Sequence, residues 1–361
     1  MREIESTSYF KNIQAARAIA ALLVLTFHVY AVEGKYFGHH LVPGVLGLFG
    51  TCGVDLFFVI SGFVMVTTTA ARDKVGARYA ADFLWRRATR IYPVYWFYSL
   101  IVLAVMLLMP QWVNASTGHH ADVLRSFLLL PAGTLPLLLQ GWTLIYEMFF
   151  YVVFAVILAC VAKRHLTAAL LTWAAVTGGL AYWLGSGHAA GPAVRIVGDP
   201  LVLEFIAGCF CARLWPVVRK PWPLVLLVSG IMGFAVAFAV GARVGQATVL
   251  QWRAVFFGAP GFLVILGAAS LEGYMMVRAP RALCGLGDAS YSLYLSHVLV
   301  ISAVGRFYER FALAKLGPAV GTILCISFAI VVGHLSYRFI ERPLNDALKR
   351  TLTPTKTVSA A

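Results

Sequence analysis

Ten apolar stretches follow one another along this chain, and each is long enough to cross a hydrocarbon core of about 30 Å. They run 13–31, 52–70, 91–109, 141–162, 166–185, 199–215, 222–241, 252–271, 288–306 and 317–338. Inside lipid every backbone N–H and C=O must be satisfied by the protein itself, so stretches of this length are read as helices. The predicted fold is an all-α integral membrane protein, a bundle of about ten transmembrane helices. Composition agrees, with 12% charged residues and 60% hydrophobic, where a soluble chain carries about 25% charged.

The net charge of +14 would suit a nucleic-acid partner, but the basic residues fall in short loops between spans. With the N-terminus inside, alternate loops hold 20 Lys and Arg on the inner side and 8 on the outer, and Arg17 lies within the first span. Both termini are therefore expected in the cytoplasm, and no nucleic acid is expected as a partner. Residues 1–352 are expected to form a single transmembrane domain, followed by a short disordered cytoplasmic tail at 353–361 and no separate soluble domain. The first stretch is too long for a signal peptide and no convincing cleavage site follows it. Cys52, Cys160, Cys209, Cys211, Cys284 and Cys325 lie mostly within spans, without zinc or disulfide spacing, and read as core packing. The longest connection, 110–140, contains an apolar run at 123–130. That run is too short to span, and is expected to lie in the interface or dip into the bundle.

Ionisable residues inside a bilayer are costly and by default face a protein interior. Arg17 and His28 are eleven residues apart in the first span, hence on one helix face and roughly 16 Å apart along the axis. His28 either bonds a neighbouring helix or takes part in chemistry. Asp55 near the outer end of the second span either caps its helix, meets water or belongs to a site, while Ser61-Gly62 permits close helix packing. Arg86 and Arg90 share a face at i,i+4 with Arg87 beside them; the cluster is a positive-inside anchor or a phosphate grip. Glu147 is the only acid in the fourth span and must protonate or find a partner. Counted from the outer edge it lies at a depth of about 9 Å, and His28, counted from the inner edge, at about 22 Å. The two depths sum to about the core thickness, so a pair in which the carboxylate orients the imidazole is expected. Glu204 lines an outer cavity or has a structural partner. Asp288 reads as an N-cap, and Ser290, Tyr294 and His297 form a polar stripe at i, i+4 and i+7. His334 and Glu341-Arg342-Pro343 read as structural pairing and helix termination. No metal site is expected, because the histidines sit at different depths without ligand spacing.

The set resembles the acyltransferase family 3 of membrane-bound O-acyltransferases. The resemblance is carried by Arg17-x10-His28, by Gly53-Val-Asp55-Leu-Phe-Phe-Val-Ile-Ser-Gly-Phe63 and by Arg86-Arg87-x-x-Arg90-Ile-Tyr-Pro. It continues in Trp142-x-Leu-x-x-Glu147-x-x-Phe-Tyr151, Ser290-Tyr-Ser-Leu-Tyr294-x-x-His297 and Glu341-Arg-Pro343. The six blocks span nearly the whole chain, and Asn12-Ile-Gln-Ala-x-Arg17 is most similar to the exopolysaccharide-acetylating branch. Thr143 stands where the family commonly has serine, and the esterase-like domain of some relatives is not expected here. The resemblance implies a multi-pass protein of the bacterial cytoplasmic (inner) membrane. It implies an acyl-CoA donor, usually acetyl-CoA, and a glycan acceptor presenting a hydroxyl. It further implies His28 as general base or transient acyl carrier, with Glu147, and Arg17, Arg86, Arg87 and Arg90 as donor-binding residues. Asp55, Trp142, Tyr151, Ser290, Tyr294 and His297 are the remaining pocket candidates. Polysaccharide-assembly partners or a homo-oligomer are compatible with this reading. The alternative is a glycan or carrier transporter, with the buried charges lining its path.

Overall fold

The computed structural model describes residues 10–352 except 71–74, 114–120, 275–277 and 312–316, so both chain termini and the expected tail at 353–361 lie outside the described residues. Among these residues there is no strand. In chain order the helices are α1 (Lys11–Val32), α2 (Gly44–Phe49), α3 (Cys52–Thr69), α4 (Ala77–Leu108) and α5 (Val123–Leu128). There follow α6 (Gly141–Cys160), α7 (Leu166–Gly185), α8 (Pro192–Val197), α9 (Leu201–Leu214), α10 (Trp222–Val244) and α11 (Gln246–Gln251). The chain closes with α12 (Ala259–Gly273), α13 (Arg281–Asp288), α14 (Ser290–Arg310), α15 (Pro318–Ser336) and α16 (Arg342–Leu352). Proline occupies one of the first two positions of α8, α10, α12 and α15, where its missing N–H has no intrahelical partner to lose.

The chain is an all-α membrane protein. Among the described residues, 8 helices are long and apolar enough to cross a membrane unaided, built on α1, α3, α4, α6, α7, α10, α12 and α15. The other two segments read as spans are α9 and α14. α9 has 14 residues, about 21 Å of helix. α14 has 21 residues, but Ser290, Ser292, Ser296 and His297 are buried along it. Leu107, Leu108, Leu171, Ile231, Val236, Ile323 and Phe328 face outward from the bundle. With no hydrophobic drive between helices in lipid, close packing does the work, and small residues permit it. α3 crosses α9 at Gly62 and Gly208, where a β-carbon would come to 2.0 Å from the Phe205 carbonyl oxygen and 1.9 Å from that of Val59. Gly208→Leu is therefore expected to force the two helices apart and to cost at least about 1–3 kcal/mol. An unchanged thermal midpoint of the purified variant would refute this close approach.

The 123–130 run dips into the bundle. Tyr95 and Tyr92 donate their hydroxyls to the carbonyls of Ser126 (2.7 Å) and Leu128 (3.0 Å), and Trp96 Nε1 donates to that of Phe127 (2.9 Å). Side chains midway along α4 thus satisfy the Phe127 and Leu128 carbonyls and add a second bond to that of Ser126, which also accepts from the Leu129 N–H. The chain returns through buried Leu137 and Leu138 to Gly141, which faces the Tyr95 ring. α6 therefore begins level with the middle of α4 rather than with its end.

Candidate active site

α1, α3, α4, α6 and α14 enclose a cavity of about 820 Å³, counting its open mouth. Arg17 reaches it from α1, Arg87 and Arg90 from α4, Glu147 and Tyr151 from α6, and Ser290 and Tyr294 from α14. Much of the remaining wall is apolar, including Val54, Phe57, Phe58, Ile60 and Val64 of α3. Glu147 Oε1 accepts hydrogen bonds from Ser61 Oγ (3.0 Å) and from the Tyr151 hydroxyl. Arg87 donates Nη2 to Thr68 Oγ1 (2.8 Å) and lies over the Phe83 and Tyr151 rings. Arg17 donates to Gln14 Oε1 (3.2 Å). Arg90 makes no hydrogen bond or ion pair among the described residues. Three guanidiniums and one carboxylate thus line the space, a positive excess that suits an anionic ligand.

The opposite end of the cavity is closed by the hydroxyls of Thr143 and Tyr294, 2.8 Å apart. Thr143 donates to the Gln140 carbonyl (3.0 Å), so Tyr294 is the donor between them. Phe57 packs edge-on to the Tyr294 ring at 6.0 Å. One turn farther along α14 stands His297, its ring 4.8 Å from that of His28. The two histidines form a pair, with His297 Nε2 3.2 Å from His28 Nδ1.

The expected pairing of Glu147 with His28 is not formed. Each bonds other groups, and a depth difference separates them. α1 and α3 run antiparallel, with Phe10 against Phe63 (5.2 Å) and Gly53 closed on the Ala20 carbonyl. Ser61, the partner of Glu147, is then level with about residue 12 of α1, and His28 lies about 24 Å farther along the axis. Counting depth from the end of a full span placed Glu147 too near the outer edge, because α6 starts in mid-bundle.

The other candidates divide. Arg86 turns away from the cavity to Asp82 (3.1 Å) and its side chain is 56% exposed. Trp142 packs on Tyr146 (6.0 Å) outside the cavity lining. Asp55 is wholly buried and is held by both Arg253 Nε (2.9 Å) and Nη2 (2.8 Å). Sequence reading missed Arg253, which stands at the edge of a span without any motif around it. Glu204 is buried beside Gly258, and neither carboxylate oxygen has a hydrogen bond among the described residues. Glu341 accepts from Ser292 Oγ (2.6 Å), the pairing expected of that block, but the expected helix end is not there: a π-turn at Tyr337–Glu341 carries α15 straight into α16. Of the cysteines, Cys160 is exposed and the other five are buried.

Residues 10–338 match the family described as an acyltransferase domain. The chain belongs to that family, and with it to the O-acyltransferase enzymes of membranes. It is similar to the exopolysaccharide production protein ExoZ of Rhizobium meliloti, 34% identical over 85% of this chain and 91% of the relative. It is also similar to the O-acetyltransferase OatA of Staphylococcus aureus, 23% identical over 95% of this chain, and to the peptidoglycan O-acetyltransferase OatA of Listeria monocytogenes, 24% identical over 94%. The chain spans 58% and 56% of those two longer proteins. No solved structure matches it.

Proposed function

We propose that this protein sits in the cytoplasmic membrane of a bacterium and moves an acyl group, acetyl first of all, from acyl-CoA to a sugar hydroxyl of an exopolysaccharide. The observation that carries the reading is the cavity itself, with arginines at one end and a histidine pair just past the other. Arg17, Arg87 and Arg90 would hold the donor's phosphates by charge-assisted bonds. The Lys and Arg bias supports a cytoplasmic position for the mouth at Arg87 and Arg90, where acyl-CoA is found. The apolar wall suits the donor's arm, and Tyr294 would have to yield for the thioester to reach His28. His28 then acts as general base on the acceptor hydroxyl. The acceptor class is supported by the exopolysaccharide named for the Rhizobium relative.

The test is acyl transfer by the purified chain in detergent, where no compartments remain and a transporter without its own chemistry has no activity. Each charge-assisted contact is worth about 1.5–3 kcal/mol. Arg87→Gln and Arg90→Gln are therefore each expected to raise the donor Kd about 10- to 100-fold. Arg86→Gln, outside the cavity, should leave it unchanged. Equal effects at all three positions in calorimetry would return the cluster to a topological anchor.

A further inference from the structure

We propose that His297 is a positioning residue for His28. It accepts a hydrogen bond from His28 Nδ1–H, leaves Nε2 as the free base, and stabilises the imidazolium formed when that base is used. The inference rests on the reading of His28 as base given above.

The tautomers follow from which atoms can only accept. His28 Nδ1 lies 2.9 Å from the Val24 carbonyl oxygen one turn back in α1, so Nδ1 carries the proton. His297 Nδ1 lies 2.7 Å from the Tyr294 carbonyl oxygen and 3.2 Å from that of Leu293, so it too is protonated. The lone pair of His297 is thereby left on Nε2, directed at His28 Nδ1 across 3.2 Å. One N–H is shared between a carbonyl and an imidazole. His28 Nε2 has no hydrogen bond among the described residues. Both rings are thus locked by their own helices in the state that the chemistry needs.

The partner's neutrality matters at this depth. A carboxylate beside the ring would bring a second buried charge to this level of the bundle, which is costly away from water. A second imidazole, itself buried at 1% exposure, adds an acceptor without adding a resting charge. In the reaction the acceptor O–H proton passes to His28 Nε2 and the oxygen lone pair forms the new bond to the acyl carbon. The carbon–sulfur bond breaks toward sulfur. The proton then passes from Nε2 to the thiolate, which restores neutral His28 and releases CoA thiol.

The test compares His297→Ala, His297→Gln and His28→Ala in the full chain. The alanine variant is expected to lower kcat about 10- to 100-fold while the donor KM stays within about twofold, since binding is untouched. The glutamine amide oxygen can stand where Nε2 stood, and His297→Gln should recover activity to within about tenfold of the parent. Nitrogen-15 NMR of histidine-labelled parent protein should show His28 protonated at Nδ1 and bare at Nε2, independently of any variant's folding. His28 protonated at Nε2 at rest would overturn the proposal. So would parental kcat in His297→Ala when His28→Ala is inactive. A parental rate in folded His28→Ala would instead defeat the base reading itself.

Discussion

Replacing His28 by alanine is expected to reduce acyl transfer by about 10²–10⁴-fold, the usual contribution of a positioned general base. The fold should survive the change. His28 packs between α1 and α14 through one ring contact and one shared N–H, while the Ala- and Val-rich face around it is held by contacts that do not involve the ring. The expected pattern is a monodisperse protein with a thermal midpoint close to the parent's, parental donor binding, and little turnover. Donor binding should be spared because His28 does not line the arginine-bearing cavity. Calorimetry with acetyl-CoA beside a turnover assay separates the two quantities. Near-parental turnover in a folded variant would remove His28 from the mechanism and leave the histidine pair a structural contact.

The largest expected effect on stability belongs to Arg253. Its guanidinium makes both bonds to a carboxylate with no exposed surface, and Glu204 and Asp199 lie within its electrostatic reach. Removing one partner of a buried pair leaves an uncompensated charge and costs about 3–5 kcal/mol. Arg253→Met should therefore lower the thermal midpoint sharply and reduce the yield of inserted protein. A well-packed apolar replacement of both partners is often close to neutral, so Asp55→Leu with Arg253→Met should regain most of the loss. If the double variant stays as unstable as the single one, the pair is not what orders this end of the bundle. Parental activity in the stable double variant would further mark Asp55 as structural rather than part of a pocket.

Much of the cavity's polar lining was legible in the sequence. Of the residues that the sequence singles out, Arg17, Arg87, Arg90, Glu147, Tyr151, Ser290 and Tyr294 line one cavity, whereas His28, Asp55, Arg86, Trp142 and His297 lie outside its lining. What failed was pairing. Matched depths suggested Glu147 with His28, whereas Glu147 found Ser61 and Tyr151, and His28 found His297. Arg86 and Arg87 are adjacent in sequence, yet about 100° of helix separates them. One therefore points to the cavity and the other to Asp82. Arg253 had no local pattern at all, because its partner is 198 residues away.

By itself the sequence determined the solvent, the secondary structure and the chemistry available. Long apolar runs can satisfy their backbone in lipid only as helices, and every charge within them must be matched or used. Which charge meets which was decided by tertiary structure alone. Helical periodicity sets the face a residue occupies but carries no information on the depth of one helix relative to another. Here that offset came from the 123–140 segment folding back against Tyr92, Tyr95 and Trp96. It lowered the start of α6 by several turns, took Glu147 to Ser61 and left His28 level with His297.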